Sequence, residues 1–171
     1  SSRATRYVVA GALLLGMSSF VVRSLTRSPV WHDNERLFRQ TIVDVPGSGR
    51  AHWILAAQLF ETKQMPEALQ EMSLAVALAG KTDPLLMGYA GDLFATADKC
   101  PRAVTYYLRA LEMTPQDIRV RVNISRCLIH LRRPQEAKAV AMAAGEPLVR
   151  DARIQKIVLQ ADSLEAALRT Q

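Results

Sequence analysis

With 171 residues, the chain has room for one cored domain or for an elongated array of repeats. Hydrophobic residues at 49% against charged residues at 22% exclude bulk disorder, and eight glycines and eight prolines are too few for a low-complexity segment. The formal net charge is +6, and six arginines against two acidic residues before residue 40 place most of the excess at the amino end.

That excess suits anionic lipid headgroups; without interleaved aromatics or a binding motif it does not make a nucleic-acid patch, and no nucleic-acid partner is expected. Cys100 and Cys127 have no CxxC spacing, so neither a zinc site nor a redox pair is indicated, although a single disulfide stays open. The first element is "YVVAGALLLGMSSFVV", residues 7–22, uncharged between Arg6 and Arg23. Sixteen helical residues cover roughly 24 Å at about 1.5 Å each, near the ~30 Å hydrocarbon core. The two arginines can snorkel, and Tyr7 and Trp31 stand where interfacial anchors stand. This predicts one N-terminal transmembrane helix within 1–27, an integral-membrane location and membrane lipid as a partner. Ala12, Gly16 and Ser19 share a face of that helix and would let a second helix pack closely. A cleaved secretion signal and a buried core helix are the alternatives.

Residues 28–46 read as a lone helix: Ser28 caps it, Pro29 opens it, Phe38 and Ile42 lie inward, and Pro46 ends it. From residue 47 to 149 the chain has a period. In "PLLMGYAGDLFATADKCPRAVTYYLRALEMTPQD", which begins at Pro84, Met87, Ala90, Gly91 and Phe94 occupy positions 4, 7, 8 and 11. Ala103, Tyr107, Ala110 and Pro115 occupy positions 20, 24, 27 and 32. This resembles the tetratricopeptide (TPR) repeat, a helical hairpin of about 34 residues. Equivalent residues precede and follow it, with alanine landmarks at 68, 103 and 137, separated by 35 and 34 residues.

The pattern has a physical sense. Gly91 and Ala103 are small where two helices would cross, and Phe94, Tyr107 and Leu111 fill the space beside the crossing. Asp83 and Pro84 start a helix and Pro115 stops the next. Arg121 replaces the large apolar fourth residue of the third repeat, which predicts a loose corner there or a contact with something else. Trp53 is assigned to packing between hairpin helices. Residues 150–171 supply a capping helix through Ile154, Ile157 and Val158, with Asp162 and Ser163 breaking it before a short final helix. The expected fold is therefore all-α: one transmembrane helix, a half-repeat, three TPR hairpins and a cap.

No nucleotide-binding glycine loop, HExxH or paired-cysteine arrangement is present. His32, Asp33 and Glu35 cluster in "WHDNE", but acidic residues favour a helix start in any case. No catalytic, cofactor or metal site is expected, and the chain reads as a non-enzyme. Recognition remains. In a TPR stack the first helix of each hairpin lines the inner surface, which here carries Ile54, Gln58 and Glu61, then Leu85, Tyr89 and Asp92, then Arg119, Asn123 and Arg126, then Arg153 and Lys156. Tyr89, Asp92, Arg119, Asn123, Arg126, Arg153 and Lys156 are the candidate partner-binding residues, their basic members suited to an acidic peptide segment.

The expected function is a membrane-anchored TPR subunit that scaffolds a larger membrane complex and binds its other subunits. Residues 28–56, "SPVWHDNERLFRQTIVDVPGSGRAHWILA", also resemble the junction between the last span and the TPR tail of multi-span membrane glycosyltransferases. That resemblance implies a second reading, the tail of such an enzyme without its catalytic loop, and an extracytoplasmic TPR domain. The arginine count on either side of the span points weakly the other way. A secreted chaperone-like module is the third reading.

Overall fold

A computed structural model describes residues 34–79, 82–146 and 148–170. The 7–22 stretch, with Ala12, Gly16 and Ser19, and the cap residues Ser28 and Pro29 lie outside the described residues. The expected integral-membrane location is corrected: among the described residues no helix is long and apolar enough to cross a membrane. The longest of them has 18 residues but carries Arg153, Lys156, Asp162, Glu165 and Arg169 along its length.

The chain divides into two units at Pro46 and Gly47. In the first, α1 (Asn34–Asp44) stops short of Pro46. Its surface is tied by Arg39 Nε donating to Glu35 at 3.0 Å and Gln40 Nε2 donating to Asp44 at 2.9 Å. Phe38 and Ile42 are half-buried.

The second unit is a succession of helical hairpins: α2 (Gly49–Glu61) with α3 (Met65–Ala79), α4 (Pro84–Thr96) with α5 (Cys100–Met113), and α6 (Ile118–His130) with α7 (Pro134–Met142). A 3-10 turn (Leu148–Arg150) leads to α8 (Ala152–Arg169), which packs on α7 and α6. Each first helix begins on a side-chain cap. Ser48 Oγ accepts from Ala51 N, Asp83 Oδ1 from Leu85 N and Leu86 N, and Asp117 Oδ1 from Val120 N. Each cap satisfies amides that the helix itself leaves unpaired and is worth about 1 kcal/mol.

The hairpins close by one device. Lys63, Asp98 and Arg132 have φ of 62, 58 and 57°, and the next residue's amide reaches back five residues each time: Gln64 N to Leu59 O, Lys99 N to Phe94 O, and Arg133 N to Leu128 O. This is the Schellman closure, and glycine is its usual occupant because a Cβ is strained there. None of the three is glycine, so the sequence gives no warning of it.

Packing follows the small-against-large pattern. Ala56, Ala68, Ala90, Ala103, Ile124 and Ala137 are fully buried at the crossings. At Gly91 a Cβ would stand 2.4 Å from the Tyr107 ring, so the helices approach as closely as glycine allows. Ser125, also buried, donates its hydroxyl to Ala137 O at 3.0 Å. Arg121 is not a loose corner. Its guanidinium donates to Pro115 O at 2.7 and 3.1 Å and to Val140 O at 3.0 Å, fastening the α5–α6 turn to the carboxyl end of α7. Burial lowers its pKa from the ordinary arginine value.

The capping helix differs from expectation in one respect: α8 runs unbroken through Asp162 and Ser163. Lys138 of α7 donates to Asp162 at 2.6 Å, which holds that turn against the preceding hairpin. Ile154 and Ile157 join Val122 and Ala141 in the last cluster of the core, with Val158 against it.

Candidate functional site

The inner face is set by what the core takes. On α4, Leu86, Met87, Ala90, Gly91 and Phe94 are buried, which leaves Tyr89, Asp92 and Thr96 on the opposite side. On α6 the same logic leaves Arg119, Asn123, Arg126 and His130 at helical spacing, and on α2 it leaves Trp53, Ala57 and Glu61.

Two hollows lie along this face. The first, of about 310 Å³, lies between α2 and α4 and is lined by Trp53, Ala57, Phe60, Glu61, Met72, Tyr89, Asp92, Leu93 and Thr96. Trp53 and Tyr89 form its aromatic end, with ring centroids 5.4 Å apart and planes inclined at 43°. Trp53 therefore also faces the groove, beyond the packing role its position suggests. The second hollow, of about 550 Å³, lies between α4, α5 and α6. Its walls are Asp92, Thr96, Asp98, Cys100, Tyr107, Arg119, Asn123, Arg126, Cys127 and His130.

Asp92 lines both hollows and is the best-connected side chain between them. Its Oδ1 accepts from the Tyr107 hydroxyl at 2.6 Å and from Asn123 Nδ2 at 2.8 Å, while Oδ2 accepts from Arg119 Nη1 at 2.6 Å. Burial first, and then the bond to Asp92, raise the Tyr107 pKa well above the ordinary phenol value, so Tyr107 remains a donor. Gly88 makes room for the arginine: a Cβ there would stand 2.7 Å from Arg119 Nη2.

The structure thus brings together Tyr89, Asp92, Arg119, Asn123 and Arg126, but not as a uniform set of ligand-binding groups. Arg119 and Asn123 hold Asp92, which reduces what they can offer an incoming carboxylate. Arg126 is exposed on the wall of the second hollow and makes no hydrogen bond or ion pair among the described residues. His130 Nε2 lies 2.9 Å from Asp98 Oδ1 at the same hollow.

Arg153 and Lys156 lie elsewhere, on α8. Arg153 grips Asp151 with two bonds of 3.0 and 2.9 Å, and these, with its amide, hold the Asp151 carboxyl at about 2. Lys156 lines a separate hollow with Leu159, Gln160 and Leu164. Ile54, Gln58 and Leu85 line neither hollow of the groove. The acceptor role of Asp92 and the apolar wall of Phe60, Met72 and Leu93 were not anticipated; the only sequence signal was the proximity of Tyr89 and Asp92 on one face of α4. Among the described residues no group of three or more His, Cys, Asp or Glu could hold a metal ion.

Stacked hairpins with a side-chain-lined inner face define the class of fold: an all-helical, TPR-like arrangement. Structural comparison agrees. The chain superimposes on MamA with a TM-score of 0.60 at 11% identity, covering 80% of this chain and 90% of that one. It superimposes on the TPR2B domain of yeast Sti1, solved in a complex with pHsp70, with a TM-score of 0.57 at 16% identity, covering 68% and 97%. For the type III secretion chaperone SycD of Yersinia enterocolitica, solved with a peptide of the translocator YopD, the values are 0.53, 15%, 71% and 92%. At such identities the likeness speaks to the fold. No protein-family model matches the sequence, and no curated protein matches it. The glycosyltransferase resemblance of residues 28–56 is not supported by these comparisons.

Proposed function

We propose that this chain is a non-catalytic peptide-binding module that receives an extended segment of a partner protein across α2, α4 and α6. The observation that carries the reading is the pair of unlike hollows on either side of Asp92. One is walled by Trp53, Tyr89, Phe60 and Leu93; the other presents the unengaged Arg126. An apolar side chain of the segment enters the first by the hydrophobic effect, and an acidic residue meets Arg126 by a charge-assisted hydrogen bond. Tyr89 and Asp92 shape the passage between them, and Arg119 and Asn123 keep the Asp92 carboxylate oriented. The pHsp70 partner named with the Sti1 structure and the YopD peptide named with SycD lend the reading support by analogy. It extends to a scaffolding role, in which the groove holds a segment of one subunit of a larger complex.

A fluorescence-anisotropy screen tests this with labelled peptides that carry one Leu, Met or Phe and one Asp or Glu at varied spacing. Binding is expected at a preferred spacing, weakened about tenfold by Arg126→Glu and by Trp53→Ala. Equal binding when the acidic residue is exchanged for lysine, or by the Arg126→Glu, Trp53→Ala double variant, would overturn it.

A further inference from the structure

Cys100 and Cys127 take no part in the peptide-binding reading, yet the fold brings them to one place. Helices α5 and α6 are joined by the short turn 114–117 and pack together, so they run antiparallel. Cys100 is the first residue of α5 and Cys127 lies in the last turn of α6, which sets both at the same end of the pair. Both line the second hollow. They are 6% and 3% exposed, so the hollow is their route to solvent, and neither is in a disulfide. Burial, and then the adjoining Cys100 thiol, push Cys127 up to about 12.

We propose that Cys100 and Cys127 are a modification site, a thiol pair that a small soluble disulfide of the glutathione class converts into an intrachain disulfide. Cys100 reacts first. It is the less deeply buried of the two and opens α5 on the wall of the hollow, whereas Cys127 is held as the thiol. The Cys100 thiolate attacks one sulfur of the soluble disulfide; that S–S bond breaks, and one small thiolate leaves and takes up a proton. Cys127 then attacks the Cys100 sulfur of the mixed disulfide as its proton passes to solvent, and the second small thiol departs. Two protein thiols are oxidised and one soluble disulfide is reduced to two thiols. Arg126 on the same wall supplies a positive charge toward the carboxylates of such an oxidant. The new bond would fasten α5 to α6 beside the groove, two helical turns from Tyr107 and one from Asn123.

The experiment equilibrates the full folded chain with graded mixtures of reduced and oxidised glutathione, quenches with acid, and follows mass and non-reducing proteolytic peptides. The expected result is loss of two hydrogens per chain, a cross-linked peptide containing Cys100 and Cys127, and a Tm raised by about 10 °C. Cys127→Ser should instead accumulate glutathione on Cys100, and Cys100→Ser should react more slowly than either. Free thiols persisting in excess oxidised glutathione while circular dichroism stays native would overturn the proposal. So would disulfides that form only between chains or only in urea. The wild-type peptide map decides the matter even if a serine variant fails to fold. No peptide ligand enters the assay, so its failure and that of the groove reading are separate results.

Discussion

Gly91→Ala is the sharpest test of how the second hairpin is built. The added Cβ would stand 2.4 Å from Cδ1 and Cε1 of Tyr107 and 2.8 Å from Cγ, inside any permitted contact. An exposed ring would swing aside, but Tyr107 is 1% exposed and its hydroxyl is held by Asp92 at 2.6 Å. Overpacking in such a setting costs about 1–3 kcal/mol, and moving the ring also sacrifices part of a hydrogen bond to a carboxylate, worth about 1.5–3 kcal/mol. Alanine's helix propensity returns about 1 kcal/mol. The net loss should be about 2 kcal/mol, read as a lower urea midpoint at unchanged m. The accompanying drop in Tm should be roughly 10 °C. Releasing the ring first, with Tyr107→Phe, should reduce the penalty of Gly91→Ala by about 1 kcal/mol in a double-mutant cycle. If Gly91→Ala alone leaves stability within about 0.5 kcal/mol of the parent, the pinned ring is not what fixes the α4–α5 distance.

Arg132→Gly and Lys63→Gly should each stabilise the chain by up to about 1 kcal/mol in chemical denaturation, because the Schellman position then carries no Cβ. Arg121→Met keeps the buried stem but removes three donors to Pro115 O and Val140 O, and should lower stability by about 2 kcal/mol in the same assay. The Asp151 carboxyl, held by Arg153 at about 2 against an ordinary 3.8, should titrate near that value by carbon-13 NMR and move up in Arg153→Ala. Because the folded value is depressed, its contribution to stability is complete above the ordinary carboxyl range and fades as pH falls toward 2.

The hairpins were legible in the sequence because their determinants are local or strictly periodic. Asp83–Pro84 announces a helix start within two residues, and the alanines at 68, 103 and 137 repeat where helices must touch. The inner-face register on α4 and α6 followed from the same period, which is how Tyr89, Asp92, Arg119, Asn123 and Arg126 were found together. What those side chains do to one another was not legible, since Asp92 meets partners 15, 27 and 31 residues away in the chain. The basic residues looked like a free patch, and one of them, Arg119, holds Asp92 instead, together with Asn123. Arg121 looked like a misfit because the repeat pattern does not show its carbonyl partners, Pro115 O in the turn before it and Val140 O on α7. The break expected at Asp162 and Ser163 failed for the same reason: Lys138 lies 24 residues earlier. The placement of Arg153 and Lys156 in the groove assumed that α8 continues the inner face, but Arg153 turns to its own helix cap.

The corners at Lys63, Asp98 and Arg132 recur at intervals of 35 and 34 residues with the same backbone twist. Each marks a seam at which one segment can be exchanged for another without altering the path of the chain. Excising residues 64–98 would join Lys63 to Lys99 and pair α2 directly with α5, a shortened protein whose surviving corner has the geometry of the two it replaces. Such a miniature would forfeit the whole of α4, and so would separate the capacity to fold from the capacity to bind in one deletion.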